Sequence, residues 1–138
     1  MDTMTSTAAE EIRNLLVRYG LLLDQKDFAG YAALFTADGV LHAPLGTATG
    51  PEAIRELLDG ILGPIEPGFH LMASPLIEVD GDEATSTSRF TYVQNGEGGA
   101  VEVRLVGHYD DRLRREAGHW RFRHRRITID AGRAPYRD

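Results

Sequence analysis

The stretch VEVRLVGHYDDRLRREAGHWRFRHRRITID, residues 101–130, decides the fold. Residues 101–113 and 119–130 show the two-residue alternation of strands, and a turn around Ala117-Gly118 separates them. Two strands joined by so short a connection pair as an antiparallel hairpin. A sheet built on this hairpin is therefore the predicted centre of the fold.

Two further extended segments precede this hairpin. Residues 69–79 and 83–94 flank the turn Asp80-Gly81-Asp82, and the glycine-rich loop 95–99 leads into the hairpin. Pro75 interrupts the first of these segments, which predicts a bulge or a sheet edge there. The sequence thus predicts at least four long strands joined by hairpins.

Helical patterns fill the chain before the strands. Thr7-x-x-Glu10 forms a capping box at the start of a predicted helix over residues 8–25. Asp27 is a suitable cap for a short helix over 28–34, and Pro51 opens a third helix that ends before Gly63-Pro64. Between them, residues 37–39 suggest a turn and residues 40–43 a short strand.

Helices followed by a run of antiparallel strands indicate an α+β fold. We expect a curved, antiparallel or mixed sheet shaped as a cone and packed against three N-terminal helices. Such a cone encloses a small-molecule pocket. A single domain spans residues 1–138, with a core over about 8–130 and loose ends at 1–6 and 131–138.

The composition narrows the function classes. The 138 residues carry a formal net charge of −6 and no cysteine, which excludes disulfides and thiolate zinc sites and disfavours nucleic-acid and anionic membrane surfaces. No apolar run reaches the length of a membrane span and no leader pattern is visible, so a cytoplasmic location is expected. The histidine spacings give no metal-site motif.

Three side chains have the chemistry for proton transfer. His70 opens the first long strand, and Asp24 and Tyr19 lie near the end of the first helix. A histidine oriented by a carboxylate, with a phenol nearby, is general acid–base equipment. The alternatives are a surface or core histidine, a solvated aspartate and an ordinary core tyrosine.

The alternation in the last strand assigns its basic residues to two faces. Trp120, Phe122, His124 and Arg126 share the predicted inner face, and Arg121, Arg123 and Arg125 share a solvated basic stripe with His119. An inward Arg126 needs an acid or a ligand oxygen, so it is either a substrate contact or a structural ion pair. The predicted apolar walls of the pocket are Tyr31, Phe35, Leu41, Met72, Phe90 and Trp120, with Tyr92 as a further polar candidate.

Three segments resemble the SnoaL-like branch of the nuclear transport factor 2-like superfamily. They are residues 12–35, residues 50–54, and the pair 107–111 and 118–122. The resemblance implies the cone-shaped fold. Its catalytic members include dehydratases, a dehydrochlorinase and polyketide cyclases, and several of these enzymes use an aspartate from the end of the first helix together with a histidine from the first long strand. Those positions match Asp24 and His70, and Tyr19 matches a tyrosine five residues before the aspartate.

The resemblance implies a lyase or isomerase, of the dehydratase or cyclase type, that uses no cofactor and acts on a small hydrophobic ring-bearing molecule. In this expectation His70 is the base, Asp24 orients it and Tyr19 protonates or steers the departing oxygen. The alternative is a ligand-binding or assembly subunit built on the same cone. Related proteins also imply a homodimer through the open face of the sheet.

Overall fold

A computed structural model describes residues 7–135. In these residues three α-helices and seven strands follow one another in the order α1 (Ala8–Asp24), α2 (Phe28–Ala32), β1 (Phe35–Ala43), β2 (Gly46–Thr49), α3 (Pro51–Leu62), β3 (Gly68–Met72), β4 (Leu76–Asp80), β5 (Glu83–Asn95), β6 (Val101–Glu116) and β7 (His119–Gly132), and a 3-10 turn (Glu97–Gly99) connects β5 to β6. The predicted α+β class and the three N-terminal helices are confirmed. Within this described part, no helix combines the length and apolar character needed to cross a membrane.

The strands form one mixed sheet in the order β2-β1-β7-β6-β5-β3, and β4 also pairs with β5. The β1–β7 pair is parallel and the other pairs are antiparallel. The inner face of the sheet holds the core together with the helices, because the alternate residues of β5 and β7 that face the helices are buried. The sheet is open, so β2, β3 and β4 form its edges.

The first helix begins as the sequence predicts. The Thr7 hydroxyl accepts a hydrogen bond from the Glu10 amide at 3.1 Å, which satisfies one of the free N–H groups of the first turn. Ile12, Leu15, Leu16 and Tyr19 bury one stripe of α1 against the sheet. The helix therefore carries Asp24, at its last position, to the wall of the core.

Several predicted boundaries are wrong. The helix expected over 28–34 ends at Ala32, the turn expected at 37–39 lies inside β1, and β2 has no counterpart in the prediction. Asp38 bonds the Thr36 hydroxyl within an irregular part of β1, where the pairing with β7 shifts between Phe35 and Val40. Turn-forming residues thus sit in a strand bulge.

The segment around Pro75 splits the predicted strand 69–79 into β3 and β4, both of which pair with β5 alone. This outcome agrees with the predicted edge, since a proline there removes no ladder hydrogen bond. The expectation of a loose chain from Ala131 is wrong as far as the structure describes it. β7 continues through Gly132, and Ala134 is buried.

Candidate active site

The inner face of the sheet and the three helices enclose a cavity of about 100 Å³. Its wall is mostly apolar and aromatic, and it is lined on the helical side by Leu23, Phe28, Leu58 and Leu62 and on the sheet side by Leu41, Phe90, Leu105, Tyr109, Ile127 and Ile129. Five predicted site residues with polar groups also line it: Tyr19, Asp24, Tyr31, His70 and Tyr92. Small-molecule sites usually have this composition, with a few polar groups in an otherwise apolar cavity.

Asp24 and His70 are in direct contact at this wall. The Asp24 carboxylate accepts two hydrogen bonds from His70, one from the backbone amide at 2.9 Å and one from Nδ1 at 2.5 Å. Both side chains are largely buried, with 14% of His70 and 16% of Asp24 exposed. The structure therefore brings together two residues that lie 46 positions apart in the sequence.

The geometry of this pair determines which ring nitrogen is available. An ionised carboxylate only accepts hydrogen bonds, so a neutral His70 carries its proton on Nδ1 and leaves Nε2 bare. Nε2 has no hydrogen-bond partner among residues 7–135, and the ring lies between Phe90 and Tyr92, at centroid distances of 5.9 and 4.7 Å. A bare imidazole nitrogen in an apolar cavity is suited to take a proton from a bound molecule.

Tyr19 lies deeper in the same wall and is fully buried. The Tyr31 hydroxyl donates to the Tyr19 oxygen at 2.5 Å, so the Tyr19 proton is free for another acceptor. Burial raises the pKa of Tyr19 above its ordinary value, while the Arg125 charge and the Tyr31 hydrogen bond oppose that rise. The pKa of Tyr31 is raised further, because burial dominates and the neighbouring Tyr19 adds to it. Tyr19 is thus the member of the pair whose proton is not already donated to the other.

Arg125 is the largest departure from the sequence prediction. Its guanidinium is fully buried between the rings of Tyr19 and Tyr109, with the central carbon 3.8 and 3.6 Å from the ring centroids. Nε and Nη2 donate to the two oxygens of buried Asp111, at 2.8 and 3.3 Å. Nη1 has no hydrogen-bond partner within the described residues.

The prediction that Arg126 contacts substrate is wrong. Leu113 pairs with Phe122 and Arg112 pairs with His124, so Arg123 is an extra residue without a partner on β6. This β-bulge reverses the two-residue alternation after it, which turns Arg125 inward and Arg126 outward. The ion-pair alternative weighed for an inward arginine is realised by Arg125 and Asp111.

The predicted apolar walls divide into two groups. Tyr31, Leu41 and Phe90 line the cavity, as does the polar candidate Tyr92. Phe35, Met72 and Trp120 do not line it, so their assignment to the pocket is corrected. Phe35 is buried against Tyr31 and Phe122 instead, and Trp120 is buried near the far end of the sheet, beneath the Arg115 guanidinium.

The sequence prediction missed a second group of cavity residues. Lys26, which has a left-handed φ of 59°, donates from Nζ to the carbonyl oxygens of Gly63 (2.9 Å) and Ile65. It thereby fixes the loop between α3 and β3, whose residues 65–67 form part of the cavity rim. Tyr109 stacks on Phe90 at 4.4 Å and completes the inner wall. Of these residues, only Tyr109 could have been predicted from the sequence, because the alternation of its strand places it on the inner face.

Comparisons with known proteins agree with this arrangement. A Mycobacterium tuberculosis protein of unknown function is 34% identical, with a TM-score of 0.80 over 88% of this chain and 70% of that one. A nuclear transport factor 2-like protein with a cystatin-like fold from Novosphingobium aromaticivorans is 27% identical, with a TM-score of 0.78 over 91% and 83% of the two chains.

A third similar structure, provisionally assigned as a scytalone dehydratase from Novosphingobium aromaticivorans, is 26% identical, with a TM-score of 0.75 over 88% of this chain and 83% of that one. No functionally curated protein matches the chain. The sequence profile of the SnoaL-like domain matches residues 4–126. The chain therefore belongs to the SnoaL-like domain family, within the nuclear transport factor 2-like superfamily.

Proposed function

We propose that the protein is a cofactor-independent lyase that eliminates water from a small, ring-bearing β-hydroxy carbonyl compound. The observation that carries this proposal is the contact of His70 with Asp24 at the wall of an apolar cavity. The similarity to a provisionally assigned scytalone dehydratase supports the same reaction class. An isomerisation or cyclisation that begins with the same proton removal is the related alternative.

The proposed reaction uses three side chains, His70, Asp24 and Tyr19. His70 Nε2 takes a proton from the carbon next to the carbonyl, and the C–H electron pair forms a C=C bond while the carbonyl π pair moves to oxygen. When the enolate collapses, the carbonyl re-forms and the C–O bond to the β-hydroxyl breaks. Tyr19 gives its proton to the departing oxygen, so water leaves. The imidazolium then returns its proton to the Tyr19 phenolate, and the enzyme is restored.

Each group has a physical role in that sequence. Asp24 fixes the tautomer of His70 and stabilises the imidazolium that forms. The Arg125 charge against the Tyr19 ring and the Tyr31 hydrogen bond stabilise the transient phenolate. The apolar surroundings strengthen these electrostatic effects, since little water competes with them.

The cavity volume limits the substrate. About 100 Å³ is below the ~300–1,000 Å³ typical of drug-sized ligands and close to the ~150 Å³ of engineered cavities that hold benzene. A single ring with a short side chain fits this space, whereas a steroid does not unless the rim loop fixed by Lys26 moves. We therefore infer a single-ring substrate.

Solvent deuterium exchange on phenylacetone tests the base. This single-ring ketone has an activated carbon next to its carbonyl, and NMR follows incorporation of deuterium from D2O. The wild type is expected to accelerate exchange, and His70→Ala to lose that acceleration by roughly 10²–10⁴-fold. His108→Ala is the matched control, because His108 is on the outer face and bonds Asp130 at 2.7 Å. Equal exchange by wild type and His70→Ala would overturn the proposal and favour a ligand-binding or assembly subunit.

We also propose that a second copy of the chain covers the outer face of the sheet. Four apolar side chains on β3 and β6 form an outer apolar strip on that face: Phe69, Leu71, Val103 and Val106, which are 53, 54, 65 and 37% exposed. Strand pairing joins Leu71 and Val106 through Thr91, and Phe69 and Val103 through Val93. A continuous exposed apolar surface of this kind marks an interaction site.

The charges of the outer face favour a second copy as the occupant. Glu78 and Asp80 lie on β4 at one side, and Arg123 and Arg126 lie on β7 towards the other. When two sheets pack face to face about a two-fold axis parallel to the strands, the acidic side of each copy meets the basic side of the other. Sedimentation velocity is expected to show a dimer that the double variant Leu71→Glu/Val103→Glu dissociates. The control Val17→Glu, on the exposed side of α1, leaves the dimer intact, and a monomeric wild type would contradict the proposal.

A further inference from the structure

Tyr92 lies directly beside the base. His70 and Tyr92 are paired opposite each other in the β3–β5 ladder, and their rings are 4.7 Å apart. Both side chains face the helices and line the cavity. A group on Tyr92 therefore reaches the same part of a bound molecule as the His70 ring.

The hydrogen bonds around Tyr92 determine whether its hydroxyl donates or accepts. Arg104 Nε donates to Gln94 Oε1 at 2.8 Å, so the amide oxygen of Gln94 is occupied. Gln94 Nε2 donates to the Glu66 carbonyl oxygen at 2.9 Å and to the Tyr92 oxygen at 3.2 Å. Because an amide nitrogen only donates, the Tyr92 oxygen must accept from it. The hydroxyl hydrogen of Tyr92 is left for another acceptor.

No acceptor for that hydrogen is hydrogen-bonded to Tyr92 in the part of the chain that the structure describes. Tyr92 as a residue is nine-tenths buried, with 9% of its surface exposed. Burial raises the pKa of Tyr92 above its ordinary value, so the phenol keeps its proton at neutral pH. A buried donor without an acceptor is costly unless a bound molecule supplies one.

Gly68 provides the space for this hydroxyl. A Cβ at Gly68 would lie 2.3 Å from the Tyr92 oxygen and 2.4 Å from the ring carbon that bears it. Gly68 also lines the cavity. The glycine and Gln94 thus hold the end of the phenol in one place at the cavity wall.

We propose that Tyr92 donates a hydrogen bond to the carbonyl oxygen of the bound molecule and thereby selects ketone-bearing ligands. The inference rests on the proposed function and deepens it, because it assigns the residue that holds the oxygen on which the enolate charge collects. The proton removed from carbon goes to His70, the electron pair goes to the carbonyl oxygen, and the Tyr92 O–H stabilises the resulting charge. Tyr92 then sets the position of the carbonyl relative to His70.

A pair of isosteric ligands tests this selection. Acetophenone and α-methylstyrene have nearly the same planar shape, but only acetophenone has a carbonyl oxygen. NMR titration of the full chain is expected to show that the wild type prefers acetophenone. Tyr92→Phe is expected to weaken acetophenone binding roughly 3- to 10-fold, the effect of one hydrogen bond, and to leave α-methylstyrene within about twofold.

Two further variants make the test decisive. Gly68→Ala is expected to cause the same selective loss, since its methyl group displaces the Tyr92 hydroxyl. Thr87→Val removes a hydroxyl from the exposed, opposite face of the same strand, outside the outer apolar strip, so both affinities are expected to stay unchanged.

Equal weakening of both ligands in Tyr92→Phe would overturn the inference, as would a wild type without a preference for acetophenone or without binding of either ligand. Suppose that phenylacetone exchange depends on His70 but that the preference for acetophenone does not depend on Tyr92. This pair of results would overturn the inference about Tyr92 and leave the proposed function intact. Phenylacetone exchange that is equally fast in the wild type and in His70→Ala would overturn the proposed function.

Discussion

Asp24 carries a negative charge at the C-terminal end of α1, where the helix dipole disfavours it. Two donated hydrogen bonds from His70 compensate that cost and hold the carboxylate in place. At the scale of single residues, Asp24 and His70 could be predicted as a pair from the sequence, because both their residue types and their positions in the predicted helix and strand pointed to the same site. Arg125 could not be named in this way, since its inward direction depends on a bulge elsewhere in the strand.

Tyr19→Phe separates the two halves of the proposed reaction. Deuterium exchange needs only the base, so the variant is expected to exchange phenylacetone at a rate within about threefold of the wild type. Elimination of water from the β-hydroxyketone 4-hydroxy-4-phenylbutan-2-one also needs the acid, and it is expected to slow by about 10²-fold. Ultraviolet absorbance of the conjugated enone measures the elimination.

Tyr31→Phe provides a graded comparison for that variant. It removes the hydrogen bond that stabilises the Tyr19 phenolate but keeps the Tyr19 proton, so its elimination rate is expected to lie between those of the wild type and Tyr19→Phe. Parallel losses of exchange and elimination in Tyr19→Phe would show that Tyr19 is not the acid.

At the scale of elements, the site depends on α1 packing against β3 and on the bulge at Arg123 in β7. Helix and strand periodicity was enough to predict α1, β5 and most of β6, because α1, β5 and the part of β6 from Leu105 onward each keep one period over many residues. It failed in β1 and β7, where a bulge changes the period within a strand. Bulges arise from pairing with other strands, so a single segment does not contain the information that places them.

Because the bulge at Arg123 turns Arg125 inward and Arg126 outward, replacing these two arginines is expected to affect stability very differently. Arg125→Ala leaves Asp111 buried without its partner and is expected to lower the free energy of unfolding by about 3–5 kcal/mol. Arg126→Ala changes an outward-facing side chain and is expected to stay within about 0.5 kcal/mol of its parent when both variants are made in the monomeric Leu71→Glu/Val103→Glu background. Guanidinium denaturation measures both, and a larger loss for Arg126→Ala would contradict the position of the bulge.

At the scale of the whole molecule, one sheet separates the proposed catalytic site from the proposed dimer surface. The inner face holds the cavity and the buried ion pair, and the outer face carries the outer apolar strip and the charged residues of the proposed dimer. The α+β class follows from the order of helices and strands in the sequence. The cavity volume and the edge positions of β2 and β4 do not, because they depend on how distant segments meet.

The buried ion pair predicts how stability depends on pH. Burial raises the pKa of Asp111 to about 6, even though the Arg125 charge opposes the rise. Because the native carboxyl then binds its proton more tightly than the unfolded one, this group's contribution to stability falls as the pH rises from about 4 to about 6. Removing Arg125 raises the pKa of Asp111 further. The contribution of Asp111 to stability then continues to fall at higher pH.

The destabilisation caused by Arg125→Ala is therefore expected to be larger at about pH 8 than at about pH 5, by about 1.4 kcal/mol for each additional pKa unit. Denaturation of both proteins across this range measures the difference. A difference that stays constant or shrinks as the pH rises would contradict the coupling of Arg125 to Asp111.

The tautomer of His70 tests the central claim most directly, because the proposed base requires a bare Nε2 in the cavity. Long-range ¹H–¹⁵N NMR of histidine-labelled protein at a pH where the ring is neutral reports which nitrogen carries the proton. We expect a proton on Nδ1, held by Asp24, and loss of this preference in Asp24→Ala. A proton on Nε2 in the wild type would contradict it.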